Sequence, residues 1–260
     1  MSAGPFVFLR QTHRVQRSDV QQVADDVFRV DGGIVNWYLL RDGQDLTLVD
    51  AGYPGNATDV EASIRLLGHQ SGDVRALLIT HAHTDHIGAA VPLHAGHDTP
   101  AYCSAVEVAH ARREHLQQVT PVQVLANAWR PGVLPWALHA VRLGGTRPVA
   151  VPHARAFPSE GPLDLPGRPV PVPTPGHTDG HSAFLVPGAG AVLTGDGLVT
   201  GHPTSRHTGP QLLPGFFSHD RTATAAALQP LAELDADLVL PGHGEPWWGP
   251  VADAVTTARG

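Results

Sequence analysis

Apolar residues along this chain come in short runs, each stopped by a turn rich in glycine, proline or aspartate. Residues 27–30 and 34–40 read as strands joined across Asp31-Gly32-Gly33, a hairpin-type turn. A third run, 46–49, ends in Asp50-Ala51-Gly52. Asn56 or Thr58 then caps a helix carrying Val60, Ile64 and Leu67 on one side. Residues 74–79 form a strand, 89–95 a short helix and 101–104 another strand. Strand and helix in alternation predict a layered α/β architecture.

The pattern changes over residues 105–150. The stretch 105–130 is mostly helix-compatible, with Val106, Ala109, Leu116 and Val119 on one side and a break at Pro121. Trp129, Pro131, Leu134, Pro135 and Trp136 follow as an aromatic segment stiffened by proline. This helical and aromatic insert either packs on the core, the usual fate of tryptophan, or shapes a substrate pocket as a lid. Regular strand character returns at 170–172, before the rigid turn Pro173-Thr174-Pro175-Gly176-His177-Thr178-Asp179-Gly180-His181. Residues 183–186 and 191–193 form a hairpin across 187–190 that runs into Thr194-Gly195-Asp196. Ser218 or Asp220 caps a helix over 221–234, which Pro230 should kink. A last buried strand, 238–240, ends in Pro241-Gly242-His243-Gly244-Glu245-Pro246.

Composition narrows the function classes. With 260 residues, the chain is long enough for one large domain spanning 1–260. A net charge of -7 argues against a nucleic-acid partner, which a basic face would accompany. The single cysteine, Cys103, excludes an internal disulfide and a thiolate metal cluster. Residues 1–17 lack the basic start and apolar stretch of a signal peptide, and no run is apolar enough to span a membrane. The expectation is a cytoplasmic protein acting on a small molecule, with no membrane partner.

The chemistry concentrates in His81-Ala82-His83-Thr84-Asp85-His86, straight after an apolar strand. Three imidazoles and one carboxylate occupy six positions. Period-2 geometry sends His81 and His83 to one side, while Asp85 and His86 point elsewhere as the backbone turns. Two donor pairs with two directions suit two neighbouring cations, and imidazole with carboxylate suits zinc and its first-row neighbours. The bland alternative is a polar loop in a protein with 17 histidines. Against it, His81, His177, Asp196 and His243 all follow apolar strands, and strand ends in α/β folds converge on one site. Asp50 is read either as a turn former or as a group beside the metals. His181 reads as a supporting residue, His202 and His207 as candidates to reach substrate, and Glu245 as a hydrogen-bond partner for a ligand ring or a solvated turn.

Those residues carry a resemblance. The His81-His83-Asp85-His86 motif, Thr174-Pro175-Gly176-His177, Thr194-Gly195-Asp196, Pro241-Gly242-His243-Gly244 and Asp50-Ala51-Gly52 resemble the metallo-β-lactamase-fold superfamily in order and spacing over roughly 20–250. The resemblance implies an αββα sandwich, two mixed β-sheets flanked by helices, with metals in a groove along one edge. It implies a first metal on His81, His83 and His177, a second on Asp85, His86 and His243, and Asp196 bridging them. Two zinc ions are implied, with iron or manganese as alternatives. The implied activity is hydrolysis of a small ester-type bond (thioester, lactone or ester) by a metal-bridging hydroxide, with Asp85 and Asp196 as the catalytic carboxylates. The run from Thr174 to His181 is similar to that of glyoxalase II-type thioesterases. The basic C-terminal residues that hold glutathione in those enzymes are missing here, where only Arg259 follows His243. A mono-iron persulfide dioxygenase-like oxidoreductase and a β-lactam hydrolase are the alternatives.

Overall fold

Alternation along each strand decides which layer its side chains enter. The protein is described from a computed structural model covering residues 14–158 and 161–260. The expectation for residues 1–17 falls mostly outside that range. Among the described residues, twelve strands and eight α-helices follow in order: β1 (Val20–Ala24), β2 (Val27–Asp31), β3 (Asn36–Asp42), β4 (Asp45–Val49), α1 (Ala57–Leu66), β5 (Val74–Leu78), α2 (Ala90–His97), β6 (Ala101–Cys103), α3 (Val108–Ala111), α4 (Pro121–Ala126), α5 (Val133–Arg142), β7 (Arg155–Ala156), β8 (Val170–Pro173), β9 (Ser182–Val186), β10 (Ala191–Gly195), α6 (Arg221–Ala226), α7 (Leu228–Ala232), β11 (Leu238–Pro241), β12 (Trp247–Trp248) and α8 (Val251–Arg259).

The first seven strands form one sheet in sequential order, and the other five form a second sheet in the order β12-β11-β10-β9-β8. Both are mixed: β4, β5, β6 and β7 run parallel, as do β10 and β11, and the remaining pairs are antiparallel. In β3, Trp37 and Leu39 face the layer that holds Val60 and Ile64 of α1 and Leu93 of α2. Tyr38 and Leu40 face the other way, into a core shared with Phe184, Leu193 and Leu240 of the second sheet. Val192 and Val239 point outward from that sheet, against Leu228 and Leu231 of α7 and Val251 and Val255 of α8. Helix, sheet, sheet, helix is therefore the layering, as the resemblance implied.

The two sheets are pinned together along one edge. Ser182 N–H donates to the Thr80 carbonyl at 2.9 Å, Asn36 N–H to the Gly242 carbonyl at 2.8 Å, and the Tyr38 hydroxyl to the Pro241 carbonyl at 2.6 Å. Each contact lies where a strand hands over to a donor-bearing turn.

Three local expectations need correcting. The helix expected over 221–234 is two helices separated at Ala227. Pro230 has no N–H to give the Ala226 carbonyl four residues back, and its ring crowds that carbonyl. The helix expected over 105–130 shrinks to α3 and α4, and Pro121 starts α4 instead of breaking it. Thr120 caps that helix, its hydroxyl accepting from Gln123 N–H at 3.2 Å, and proline is tolerated at the first helical position. Strands β1, β7 and β12 and helix α8 lie where no element was expected, although Val251, Ala254, Val255 and Ala258 repeat at helical spacing.

Candidate metal centre

The turn after β5 delivers four of the seven expected donors, and the ends of β8, β10 and β11 deliver the rest. Strand β10 pairs with β11 so that Gly195 lies beside Pro241, and Gly242 N–H donates to the Gly195 carbonyl at 2.8 Å. Asp196 and His243 thus leave adjacent strands side by side. Gly242 is required between them, because a Cβ there would stand 2.5 Å from Asp196 Oδ1 and 3.0 Å from the His86 ring.

The donors fall into two neighbouring sets: His81, His83, His177 and Asp196 in one, Asp85, His86 and His243 in the other, with the ligand atoms of each set within 4.8 Å of one another. Asp196 joins them. Its oxygens lie 3.8 Å from His81 Nε2, 3.4 Å from His177 Nε2, 3.5 Å from His86 Nε2 and 3.3 Å from His243 Nε2. Asp85 Oδ2 lies 3.8 Å from His86 Nε2 and 3.6 Å from His243 Nε2.

A metal is compatible with this arrangement on two grounds. His81 Nε2, His86 Nε2 and Asp196 Oδ1 are buried and make no hydrogen bond, a costly condition unless something else satisfies them. The far nitrogen of four rings is engaged. His81 Nδ1 meets the Thr80 hydroxyl at 3.0 Å, His83 Nε2 the Gln117 carbonyl at 2.6 Å, His86 Nδ1 the Asp50 carboxylate at 2.8 Å, and His243 Nδ1 the Ile34 carbonyl at 2.6 Å. Partners of this kind fix the tautomer and leave the inner lone pair free to bind an ion.

Electrostatics agree. Burial, then neighbouring imidazoles, hold His81 and His177 well below the usual histidine range, and burial takes His83 down to about 4. His86 goes the other way: burial opposes its charge, but Asp50, Asp196 and Asp85 outweigh that and lift it to about 10. Asp196 is held well below the ordinary carboxylate range despite burial, chiefly by His243 and His86. Positive charge is thus favoured at His86 and His243, beside the carboxylates, while His81, His83 and His177 are held neutral.

The open readings now resolve by contact. Asp50, at φ +58°, accepts from Thr80 N–H at 2.9 Å and from the Thr80 hydroxyl at 2.8 Å as well as from His86. It orients the donor loop as well as making a turn. His181 Nε2 accepts from Asp196 N–H at 3.1 Å while its Nδ1 meets the Thr174 hydroxyl at 2.8 Å, a supporting role with both nitrogens used. His202 is buried with its ring 4.9 Å from that of His243; His207 is exposed and does not line the cavity. Glu245 holds no ligand ring. It takes Arg29 in a two-point ion pair at 2.6 and 3.0 Å, which steadies the turn carrying His243.

Two residues at the site escaped sequence reading. Glu107 is buried and ties two donor loops together: Oε1 accepts from Ala82 N–H at 2.7 Å, and Oε2 from the Thr178 hydroxyl at 2.9 Å and Gly180 N–H at 3.1 Å. His110 Nδ1 adds a fourth contact at 2.8 Å. Although burial opposes ionisation, these donors hold Glu107 at about 2. Tyr53 is buried beside Asp85 and Asp196; burial first, then those carboxylates, keep its phenol protonated well above its ordinary range. Neither residue sits in a motif. Cys103 is buried away from the donors, and burial with Glu107 nearby pushes its thiol up to about 12.

A cavity of about 830 Å³ opens on the donors. His83, Asp85, His177, Asp196 and His243 form its floor, and residues of 113–148 much of its wall. Among the described residues, no helix is long and apolar enough to cross a membrane.

Known proteins bear on this arrangement. The chain is 24% identical over 229 residues, 83% of each chain, to the Bacillus subtilis protein described as "Probable metallo-hydrolase YflN". A metallo-β-lactamase family protein of Thermus thermophilus superposes at TM-score 0.63 with 23% identity, over 91% of this chain and 79% of that one. A Cronobacter sakazakii metallo-β-lactamase described by its HARLDQ motif superposes at TM-score 0.65 with 17% identity, over 93% and 91%. The sequence model described as the metallo-beta-lactamase superfamily matches residues 30–243, from the first hairpin through the last expected donor. Fold and sequence agree over that span, and the chain belongs to the metallo-β-lactamase superfamily.

Proposed function

We propose that the chain is a di-zinc hydrolase of a small ester-type bond: a thioester, a lactone or an ester. The observation that carries this reading is the convergence of seven buried or near-buried donors as two adjacent sets sharing Asp196. In it His81, His83 and His177 would hold one ion and Asp85, His86 and His243 the other, with Asp196 within reach of both. A site for a single ion needs only one set, so the equal construction of the second favours two. Bound ions would supply Lewis-acid polarisation and a water-derived nucleophile at neutral pH.

The rest is work for the chain's own residues. Hydrolysis adds water to the carbonyl carbon, breaks the C–O or C–S bond and returns a proton to the leaving group. Asp85 is the most open carboxylate of the seven donors, 16% exposed at the side chain against 4% for Asp196, and faces the cavity. It is placed to orient the water and carry its proton. Tyr53, protonated beside it, hydrogen-bonds Asp85 and holds that carboxylate in place. Buried Trp136 and Phe217, with rings 5.0 Å apart, keep bulk water from that side.

The test is elemental analysis of protein purified without added metal, followed by a parallel screen of thioesters, lactones, esters and β-lactams. About two zinc per chain and turnover of an ester-type substrate are expected. One iron per chain with oxidation of a persulfide, or turnover of β-lactams alone, would replace this reading.

A further inference from the structure

The cavity is larger and less polar than a short acyl group needs. Behind the donors its wall is built by Val119, Val124, Ala137, Ala140, Leu213 and Phe217, continuous with the floor that holds Asp85 and Asp196. At about 830 Å³ it lies toward the upper end of the range of small-molecule sites, about 300–1,000 Å³. At its mouth Leu116, Leu125, Leu134 and Val141 line it while remaining 63%, 75%, 52% and 52% exposed, beside Thr120, Thr146 and Arg147. Exposed apolar side chains gathered at one site mark a surface that something apolar covers.

We infer that the substrate is a carbonyl compound with a long unbranched apolar tail, a medium- or long-chain acyl ester, thioester or lactone, and that residues 116–141 form the tail's channel. The inference rests on the hydrolase reading for the carbonyl but on the cavity alone for the tail. A chain lying along the wall with its carbonyl at Asp85 covers the four mouth residues and displaces water from Val124 and Ala137. Each methylene buried strengthens binding roughly fourfold until the channel is filled.

The test is isothermal titration of the zinc-loaded protein with n-alkyl carboxylates from acetate to dodecanoate, beside kcat/KM for the matching p-nitrophenyl esters. Affinity rising roughly fourfold per methylene over several carbons, then levelling off, is expected. Ala137→Phe should bring the plateau forward by several carbons, and Val124→Asp should flatten the rise; thermal melts report whether each variant is folded. A flat series on the unaltered protein, with acetate bound as well as decanoate, overturns the inference while leaving ester hydrolysis standing. Graded alkanoate binding without hydrolysis of any ester supports the channel and overturns the hydrolase reading instead. A dimer that buries 116–141, is dissociated by Trp129→Ser and binds no alkanoate also overturns it.

Discussion

Two walls face each other across the cavity, and they are held in opposite ways. The donor wall is polar and buried, and almost every ring in it is fixed by a hydrogen bond from behind. The facing wall is apolar and half open. Among the described residues, eight of the ten exposed large hydrophobics lie between Val106 and Val141. Directional contacts fix the first wall to a single arrangement, whereas the second is shaped only by contact and tolerates change. Chemistry needs the former and accommodation of varied substrates the latter.

Removing the shared carboxylate should break the donor wall outright. Asp196→Ala deprives four imidazoles of their common neighbour, so bound metal by elemental analysis and hydrolysis should both vanish; full retention of either would contradict the two-ion assignment. Asp50→Asn acts from behind. It weakens the hold on His86 and the Thr80 turn and should lower zinc affinity about 10–100-fold in a chelator competition.

Glu107→Gln tests whether the donor wall is also the stability-bearing one. The Glu107 carboxyl is depressed from 4.5 to about 2, so its contribution is complete above about pH 4.5 and disappears as the pH falls toward 2. That difference corresponds to about 3 kcal/mol at neutral pH. Denaturant unfolding at pH 7 should show a loss of that order in the variant, and the gap should close by pH 2. At the other extreme, Val122→Ser or Leu138→Ser, exposed on the helices that carry the facing wall, should move stability by no more than about 0.5 kcal/mol in the same assay. A large loss there would erase the contrast.

The two walls also differed in how far the sequence disclosed them. The convergence of the seven residues is legible because each sits in a short motif at a strand end, and the alternation of apolar residues brings those ends together. Glu107 was not, since its partners Ala82 and Thr178 are 25 and 71 residues away and its neighbours Val106 and Val108 suggest only a helix face. The loop between α3 and α4 was misjudged for a related reason. Its residues could continue a helix, but Gln117 gives its carbonyl to His83 and its amide to Asp179 at 2.6 Å, and Gln118 accepts from Thr84 at 2.9 Å. Contacts to the donor loops override local helix preference there, with Arg113 at φ +63° ending α3. Strand β12 was hidden because two residues carry no period, and its pairing with Val239 and Leu238 is purely tertiary.

The lone thiol has a practical consequence. Cys103 is enclosed, and with its proton held to about 12 it offers almost no thiolate to an alkylating probe at ordinary pH. A cysteine introduced at exposed Val122 or Leu138 would then be the one site a maleimide dye labels on the native fold. The molecule comes ready for single-site fluorescent tagging, and the emission of such a tag would report any change in the surroundings of the apolar wall when an alkanoate is added.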